Sequence, residues 1–406
     1  MTYAETASAR LRAIAKASTT ATGVTRLPWT TEHRAALEHV TSWMQDAGLE
    51  VSLDAAGTLV GTSPDGQAKP LLLIGSHQDS VPSGGRFDGI MGIAVGCLVA
   101  KALRDRIAGF PFALQVLAFA DEEGVRFPTA LIGPRALAGT LDQGALDMTD
   151  AERITMRNAM ATFGVDVGRI FAMARDPATI VGYLEAHIEQ GPVLETNNLP
   201  VAAVSAICGI SRFDLSVLGA TGHAGTVPMA GRKDALVAAG RIIALVSDAA
   251  ASAEVRATVG TISVKPGAVN AIPAEVRLTL EIRSGSDRTR EDFGTHILGK
   301  MRESCDADGC KLSATRTYDQ RATACDPKLT GALEAAIREC GVAPMTLPSG
   351  ATHDASAMAD LCPISMLFVR CRGGVSHRPD EYANAQDIEM AVRVLECAVA
   401  RLAGEA

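Results

Sequence analysis

Histidines and carboxylates gather at separate points of the chain, in a pattern that suits a metal ion. Gly75-Ser76-His77-Gln78-Asp79 closes the apolar run Pro70–Gly75. An imidazole nitrogen can bind a cation while a nearby carboxylate holds the other ring N–H and fixes the tautomer. A His-x-Asp by itself is more often a surface turn. Asp88 stands in Gly84-Gly85-Arg86-Phe87-Asp88-Gly89, just before a long apolar helix candidate. Asp121-Glu122-Glu123-Gly124 follows a second apolar run, Phe112–Ala120. Three adjacent acids repel one another; a solvated loop relieves that repulsion, and so does a cation. His187 lies in Glu185-Ala186-His187-Ile188-Glu189-Gln190-Gly191, and His377 in Gly374-Val375-Ser376-His377-Arg378-Pro379. His77, Glu123 and His377 are too far apart in the chain for a zinc finger, whose ligands are close in sequence. They fit a site assembled by a fold.

The elements around these residues say which fold. Pro70–Gly75 and Phe112–Ala120 read as strands buried on both faces, with Gly89–Arg104 a helix between them. Strand, helix, strand with buried strands implies an α/β fold with a parallel or mixed sheet covered by helices. In such sheets ligands collect beyond the carboxyl ends of the strands, where His77 and the acidic triplet fall. Arg135–Leu184 has helical composition and no strong strand, so His187 is expected after a helical stretch. The character changes after about Ser205. Arg212–Leu218, Ala257–Lys265, Glu275–Ile282 and Lys311–Asp319 alternate as strands with one wet face, and Lys233–Ala250 and Thr289–Asp306 read as helices. This βαββαβ order is a two-layer unit of ~110 residues, read as an insertion. The helix Asp326–Cys340, the buried strand Ile364–Arg370 and the helix Ala385–Leu402 return to α/β character. The expected division is residues 1–207 and 323–406 for one α/β domain and 208–322 for the inserted unit.

Composition bounds the function. The 406 residues are 47% hydrophobic and 21% charged, a globular balance, with a net charge of −8. The acidity argues against a nucleic-acid partner and against polybasic membrane attachment. Nine cysteines, an odd number without a C-x-x-C pair, read as reduced thiols. The N-terminus has no apolar leader, and the longest apolar run, near Ile90–Ala100, falls short of the ~20 residues that span a bilayer. A soluble cytoplasmic protein is expected. No Gly-Lys-Ser/Thr follows Gly219–Gly225, so it is no P-loop, and no G-x-S-x-G elbow marks a serine hydrolase. Cys97 and Cys208 read as core residues. His33, His39 and His296 fall in helical stretches and read as surface residues.

The motifs G-S-H-Q-D-S, G-G-R-F-D-G, D-E-E-G-V-R-F, H-I-E-Q-G-P, G-H-A-G-T-V-P-M, N-A-I-P and V-S-H-R-P-D-E, in this order, resemble the amidase/hydantoinase/carbamoylase group of the di-metal carboxypeptidase and aminoacylase superfamily. The resemblance runs from about Gly23 to the C-terminus. It implies a di-zinc exopeptidase-like α/β fold, a central mixed sheet flanked by helices with an inserted βαββαβ lid and dimerisation domain. It implies two divalent ions, zinc or manganese: His77 and His187 on one, Glu123 and His377 on the other, Asp88 bridging both, and Asp79 behind His77. Glu122 would be the general base. A water held between two cations loses a proton more readily, and Glu122 would take that proton and deliver it to the leaving nitrogen.

The resemblance further implies a homodimer in which His223 reaches the partner's active site and stabilises the oxyanion. Asn270 and Arg283 would hold a substrate carboxylate, with Gln190, Arg212, Gly350 and His353 in the same pocket. The implied reaction is cleavage of a C–N bond in a ureido acid, an N-carbamoyl-L-amino acid or allantoate, with release of ammonia and carbon dioxide. The rival is an N-acyl-amino-acid deacylase or dipeptidase on the same ions; His187, where related peptidases carry a carboxylate, weighs against it. Retention of Glu122 and all five ligands weighs against a catalytically dead binding protein. Two departures bear on the substrate: Pro134 in Gly133-Pro134-Arg135, where the group often has serine, and Thr352, where glycine is usual.

Overall fold

Leu/Val/Phe-rich runs with no polar alternation fold here as strands covered on both faces. In the computed structural model, which describes residues 1–64, 66 and 68–405, Leu71–His77 and Ala113–Phe119 pair in parallel, and every residue of the latter is buried. Ile180–Ile188 joins in parallel on the other side of Leu71–His77, and Ile364–Val369 lies parallel beyond it. Leu59–Thr62 flanks this parallel centre antiparallel to Ala113–Phe119, and Val201–Ile207 runs antiparallel to Ile364–Val369. The sheet is therefore mixed, as the sequence suggests. The helix Ile90–Leu103 packs on its centre, and the helices Tyr3–Ile14, Thr31–Asp46 and Ala385–Leu402 pack against that helix.

The first compact unit comprises Met1–Ser205, Cys325–Leu347 and Thr352–Ala406. The second comprises Ala206–Ala324 with Pro348–Ala351. In the second unit four antiparallel strands stand in the order Lys311–Gln320, Gly209–Leu218, Glu275–Ser284, Arg256–Lys265. Alternate residues Phe213, Leu215 and Val217, with Val276, Leu278, Leu280 and Ile282, form its core under the helices Ala235–Ala251 and Asp287–Ala307. The second sheet answers to the alternating pattern read from the sequence.

Two expectations are corrected. Ile180–Ile188 is a strand, so His187 does not follow a helical stretch. The run hides because both faces are buried and because Tyr183, Glu185 and His187 interrupt its apolar character. Its polar groups are satisfied inside: Glu185 accepts from Ser76 Oγ (3.0 Å), Tyr183 Oη (3.2 Å) and the Ala355 N–H (3.0 Å). His33 is 1% exposed, not a surface residue. Its Nδ1 accepts the Trp29 N–H at 2.8 Å, its ring stacks on Phe163 at 4.5 Å, and burial pushes its pKa down to about 3. His39 is half-buried, whereas His296 is exposed. The N-terminal segment forms the helix Tyr3–Ile14 behind a Thr2/Glu5 capping box.

All nine cysteines are free thiols, with Cys97 and Cys208 buried. Among the described residues no helix is long and apolar enough to cross a membrane.

Gly92 sets how closely the helix Ile90–Leu103 approaches the sheet. A methyl there would collide with the Ala186 carbonyl oxygen and stand 2.9 Å from Ser76 Cβ. Backbone cannot yield as a side-chain tip can, so Gly92→Ala is expected to cost about 1–3 kcal/mol by overpacking. Chemical denaturation checks this; unchanged stability would mean that the helix shifts freely.

Candidate metal centre

The four parallel strands share one carboxyl edge, and the candidate ligands collect there. His77 ends Leu71–His77. Asp121, Glu122 and Glu123 follow Ala113–Phe119. His187 is the penultimate residue of Ile180–Ile188, in register with Phe368 of the strand that leads to His377. Asp88 sits at the entrance to the helix Ile90–Leu103.

Asp88 lies between two groups. Its Oδ1 is 3.0 Å from His187 Nε2 and 3.8 Å from His77 Nε2. Its Oδ2 is 3.4 Å from His377 Nε2, which is 3.9 Å from Glu123 Oε2. His77–Asp88–His187 and Asp88–Glu123–His377 each have ligand atoms close enough for one ion, and Glu122 groups with His77 and Glu123 in the same way.

The donor set fits a cation. His77 Nδ1 is 3.1 Å from the Asp79 carbonyl and His187 Nδ1 is 3.0 Å from the Ile188 carbonyl. A carbonyl only accepts, so each Nδ1 carries a proton, which leaves each Nε2 as the nitrogen that could bind a cation. Those two nitrogens lie 3.5 Å apart and face one carboxylate oxygen. Glu123 Oε1 is buried without a hydrogen-bond partner. The surroundings are strongly acidic: Asp79, Asp88, Asp121, Glu122, Glu185 and Asp354 are all buried. Burial pushes Glu122 well above the usual carboxylate range, with Glu123 and Asp354 adding to the rise, and carries Glu123 up to about 7. Burial also acts to raise Asp88, but hydrogen bonds to His187 and His377 hold it well below its ordinary value. Buried like charges at this density need compensating positive charge, and divalent ions between the two groups would supply it.

Asp79 does more than flank His77. Its Oδ1 accepts the Glu122 N–H and its Oδ2 the Glu123 N–H, both at 3.1 Å, while Oδ1 stands 3.6 Å from His77 Nδ1. One carboxylate thereby fixes the backbone of the Glu-Glu pair beside the strand that ends in His77. Asp121, Gln190 and His377 hold positive φ (59°, 55° and 58°), a backbone region disfavoured by about 1–2 kcal/mol for residues with a Cβ that persists where surrounding contacts over-determine it.

The other candidates divide between the units. In the first, Gln190 Nε2 donates to Asp88 Oδ2 at 3.1 Å, and His353 is buried with its ring edge-on to His187 at 4.5 Å. Arg212, His223, Asn270, Arg283 and Gly350 belong to the second. There Arg283 Nε donates to Glu281 (2.7 Å) and its Nη1 to the Gly350 carbonyl (2.6 Å). Arg212 Nε donates to Glu281 at 2.6 Å, and its guanidinium lies 5.0 Å from the Tyr318 ring centre. The loops of His223 and Asn270 are joined: Ala224 N–H donates to the Asn270 carbonyl at 2.9 Å, and His223 bridges Ala271. The sequence reading misses Ser376, whose Oγ lies 2.9 Å from Asp88 Oδ2, and Glu185, which accepts from Ser76 Oγ and groups with His187 and His353. Adjacency to His377 is the signal for Ser376; nothing local marks Glu185.

Known proteins share this architecture. Residues 73–401 match Peptidase family M20/M25/M40. An N-carbamoyl-L-amino acid amidohydrolase from Geobacillus stearothermophilus is 39% identical over 386 residues, covering 94% of each chain. An allantoate deiminase from Arabidopsis thaliana is 35% identical over 414 residues, covering 94% of this chain and 79% of that one. The crystal structure of an amidase of the hydantoinase/carbamoylase family from Burkholderia multivorans superposes with a TM-score of 0.88 at 30% identity, covering 97% of this chain and 96% of that one.

Proposed function

The chain belongs to the peptidase family M20/M25/M40, and on that premise we propose that it is a metal-dependent amidohydrolase that cleaves a C–N bond of a ureido acid. The observation that carries this reading is Asp88, set between His77 and His187 on one side and Glu123 and His377 on the other, with Glu122 alongside. The relatives named for N-carbamoyl-L-amino acids and allantoate support the ureido class. In that reaction a ureido group and one water become an amine, carbon dioxide and ammonia.

His77, His187 and Asp88 would hold one divalent cation, and Asp88, Glu123 and His377 the other; such ions polarise a carbonyl and favour deprotonation of water. Glu122 accepts the proton that the attacking water loses and returns it to the departing nitrogen. Its backbone N–H is held by Asp79, so its approach is fixed rather than searched for.

His223 is suited to the oxyanion. Its Nδ1 accepts the Gly225 N–H at 3.1 Å, which leaves the proton on Nε2 as a donor. The dimer that would present it to a partner subunit is part of this proposal. Arg283, anchored by Glu281 and Gly350, and Asn270 are assigned to the substrate carboxylate. Losing one charge-assisted partner is expected to raise KM of Arg283→Ala about 10- to 100-fold for carboxylate substrates, with a smaller change in kcat. An unchanged KM would remove Arg283 from the carboxylate site.

The ureido reading is tested with matched pairs, the N-carbamoyl and N-acetyl derivatives of one amino acid. A higher kcat/KM for the carbamoyl member supports it. The reverse order would favour the deacylase reading, which the same residues could serve.

A further inference from the structure

Glu381 closes the motif Val375-Ser376-His377-Arg378-Pro379-Asp380-Glu381. It is a carboxylate only 1% exposed, on the chain segment that carries His377. Its Oε1 accepts the backbone N–H of Phe87 at 2.9 Å and of Asp88 at 3.0 Å. Its Oε2 lies 3.1 Å from Ser376 Oγ. The same hydroxyl is 2.9 Å from Asp88 Oδ2, and Gln190 Nε2 donates to Ser376 Oγ at 3.0 Å. One carboxylate thus grips the backbone of Asp88 directly and its side chain through a single hydroxyl. The 84–89 loop is shaped to admit it: a Cβ on Gly85 would overlap the Glu381 carboxylate.

We infer that Glu381 is a positioning residue that sets Asp88 as the bridge between two cations and ties the Asp88 loop to the His377 loop. The inference rests on the two-cation reading above. A bridging carboxylate must offer one oxygen to each ion, and an Asp side chain rotates unless something fixes it. Ser376 has one proton and two carboxylate acceptors, so it couples the orientation of Glu381 to that of Asp88. Groups that orient a ligand without touching the ion commonly change metal affinity about 10- to 100-fold when removed.

Gln at position 381 keeps an oxygen for the two backbone N–H groups, and its amide can donate to Ser376, which then gives its proton to Asp88. Ala keeps neither. The order of metal retention is therefore wild type, then Glu381→Gln, then Glu381→Ala. Ser376→Ala removes the same link from the other end, so Glu381→Gln and Ser376→Ala combined should cost less than their separate effects added.

The test dialyses manganese-loaded protein against graded chelator and counts retained ions by elemental analysis, with circular dichroism and melting of the stripped forms as the fold control. The wild type is expected to retain two ions. Glu381→Ala is expected to release at least one at about 10- to 100-fold lower chelator, while its stripped form keeps the circular dichroism spectrum of the stripped wild type. Should Glu381→Ala fail to fold, the volume-conserving Glu381→Gln and Ser376→Ala decide, and wild-type retention in both overturns the inference. Wild-type retention in a folded Glu381→Ala overturns it as well. A wild-type protein that binds no ions overturns the two-cation reading instead, so the two failures are distinguishable.

Discussion

Glu122→Gln is expected to keep two cations per chain and to lose about 100- to 10,000-fold in kcat, the usual worth of a general base. The amide has the volume of the carboxylate and leaves the N–H bond to Asp79 untouched, since that bond uses backbone. It also leaves His77, Asp88, Glu123, His187 and His377 in place, so metal content should not change. What it removes is the ability to take a proton. Glu123, its neighbour, would not substitute, because on the two-cation reading it is committed with Asp88 and His377 to one ion. A loss in kcat with metal lost as well would point to a ligand role for Glu122. A kcat within a few-fold of wild type would mean that another group is the base.

The second large effect is expected at Asp88. It is the one residue shared by both ligand groups, so Asp88→Asn should release both ions and lower kcat to that of chelator-treated wild type. His377→Ala, which belongs to one group, should release one. Adding metal back should restore the chelated wild type and leave Asp88→Asn inactive. Elemental analysis beside turnover separates these cases, and an Asp88→Asn protein that retains two ions would remove Asp88 as the bridge.

How much of this is legible in the sequence depends on how each residue signals. His77 and the Asp121–Glu123 triplet stand out because they end apolar runs, and strand ends in α/β sheets are where sites form. His187 stands out only through its motif. Its strand, Ile180–Ile188, is buried on both faces and carries Tyr183, Glu185 and His187, so it shows neither alternation nor an unbroken apolar run. The partners that make those polar residues tolerable, Ser76 and the Ala355 N–H, are distant in the chain. His33 fails for the same reason: its helical spacing suits a surface, and the Trp29 N–H and the Phe163 ring that bury it are set by tertiary structure. The second unit reads well because one face of its sheet is wet, which leaves the period of two intact in Phe213, Leu215 and Val217. Glu381 is visible as a letter in a motif, but its use, accepting from Phe87 and Asp88, depends on a contact across nearly three hundred residues.

We propose that the protein hydrolyses a ureido C–N bond at a two-cation site. The most direct test is ammonia release by protein reconstituted with manganese or zinc. The substrates are N-carbamoyl-L-amino acids, N-carbamoyl-β-alanine, allantoate, N-acetyl amino acids and dipeptides, with Glu122→Gln as the blank. Ammonia above the blank is expected from at least one ureido acid, matched one for one by the amine product. Free amino acid from the acyl or peptide substrates, with no ammonia from any ureido acid, would contradict it.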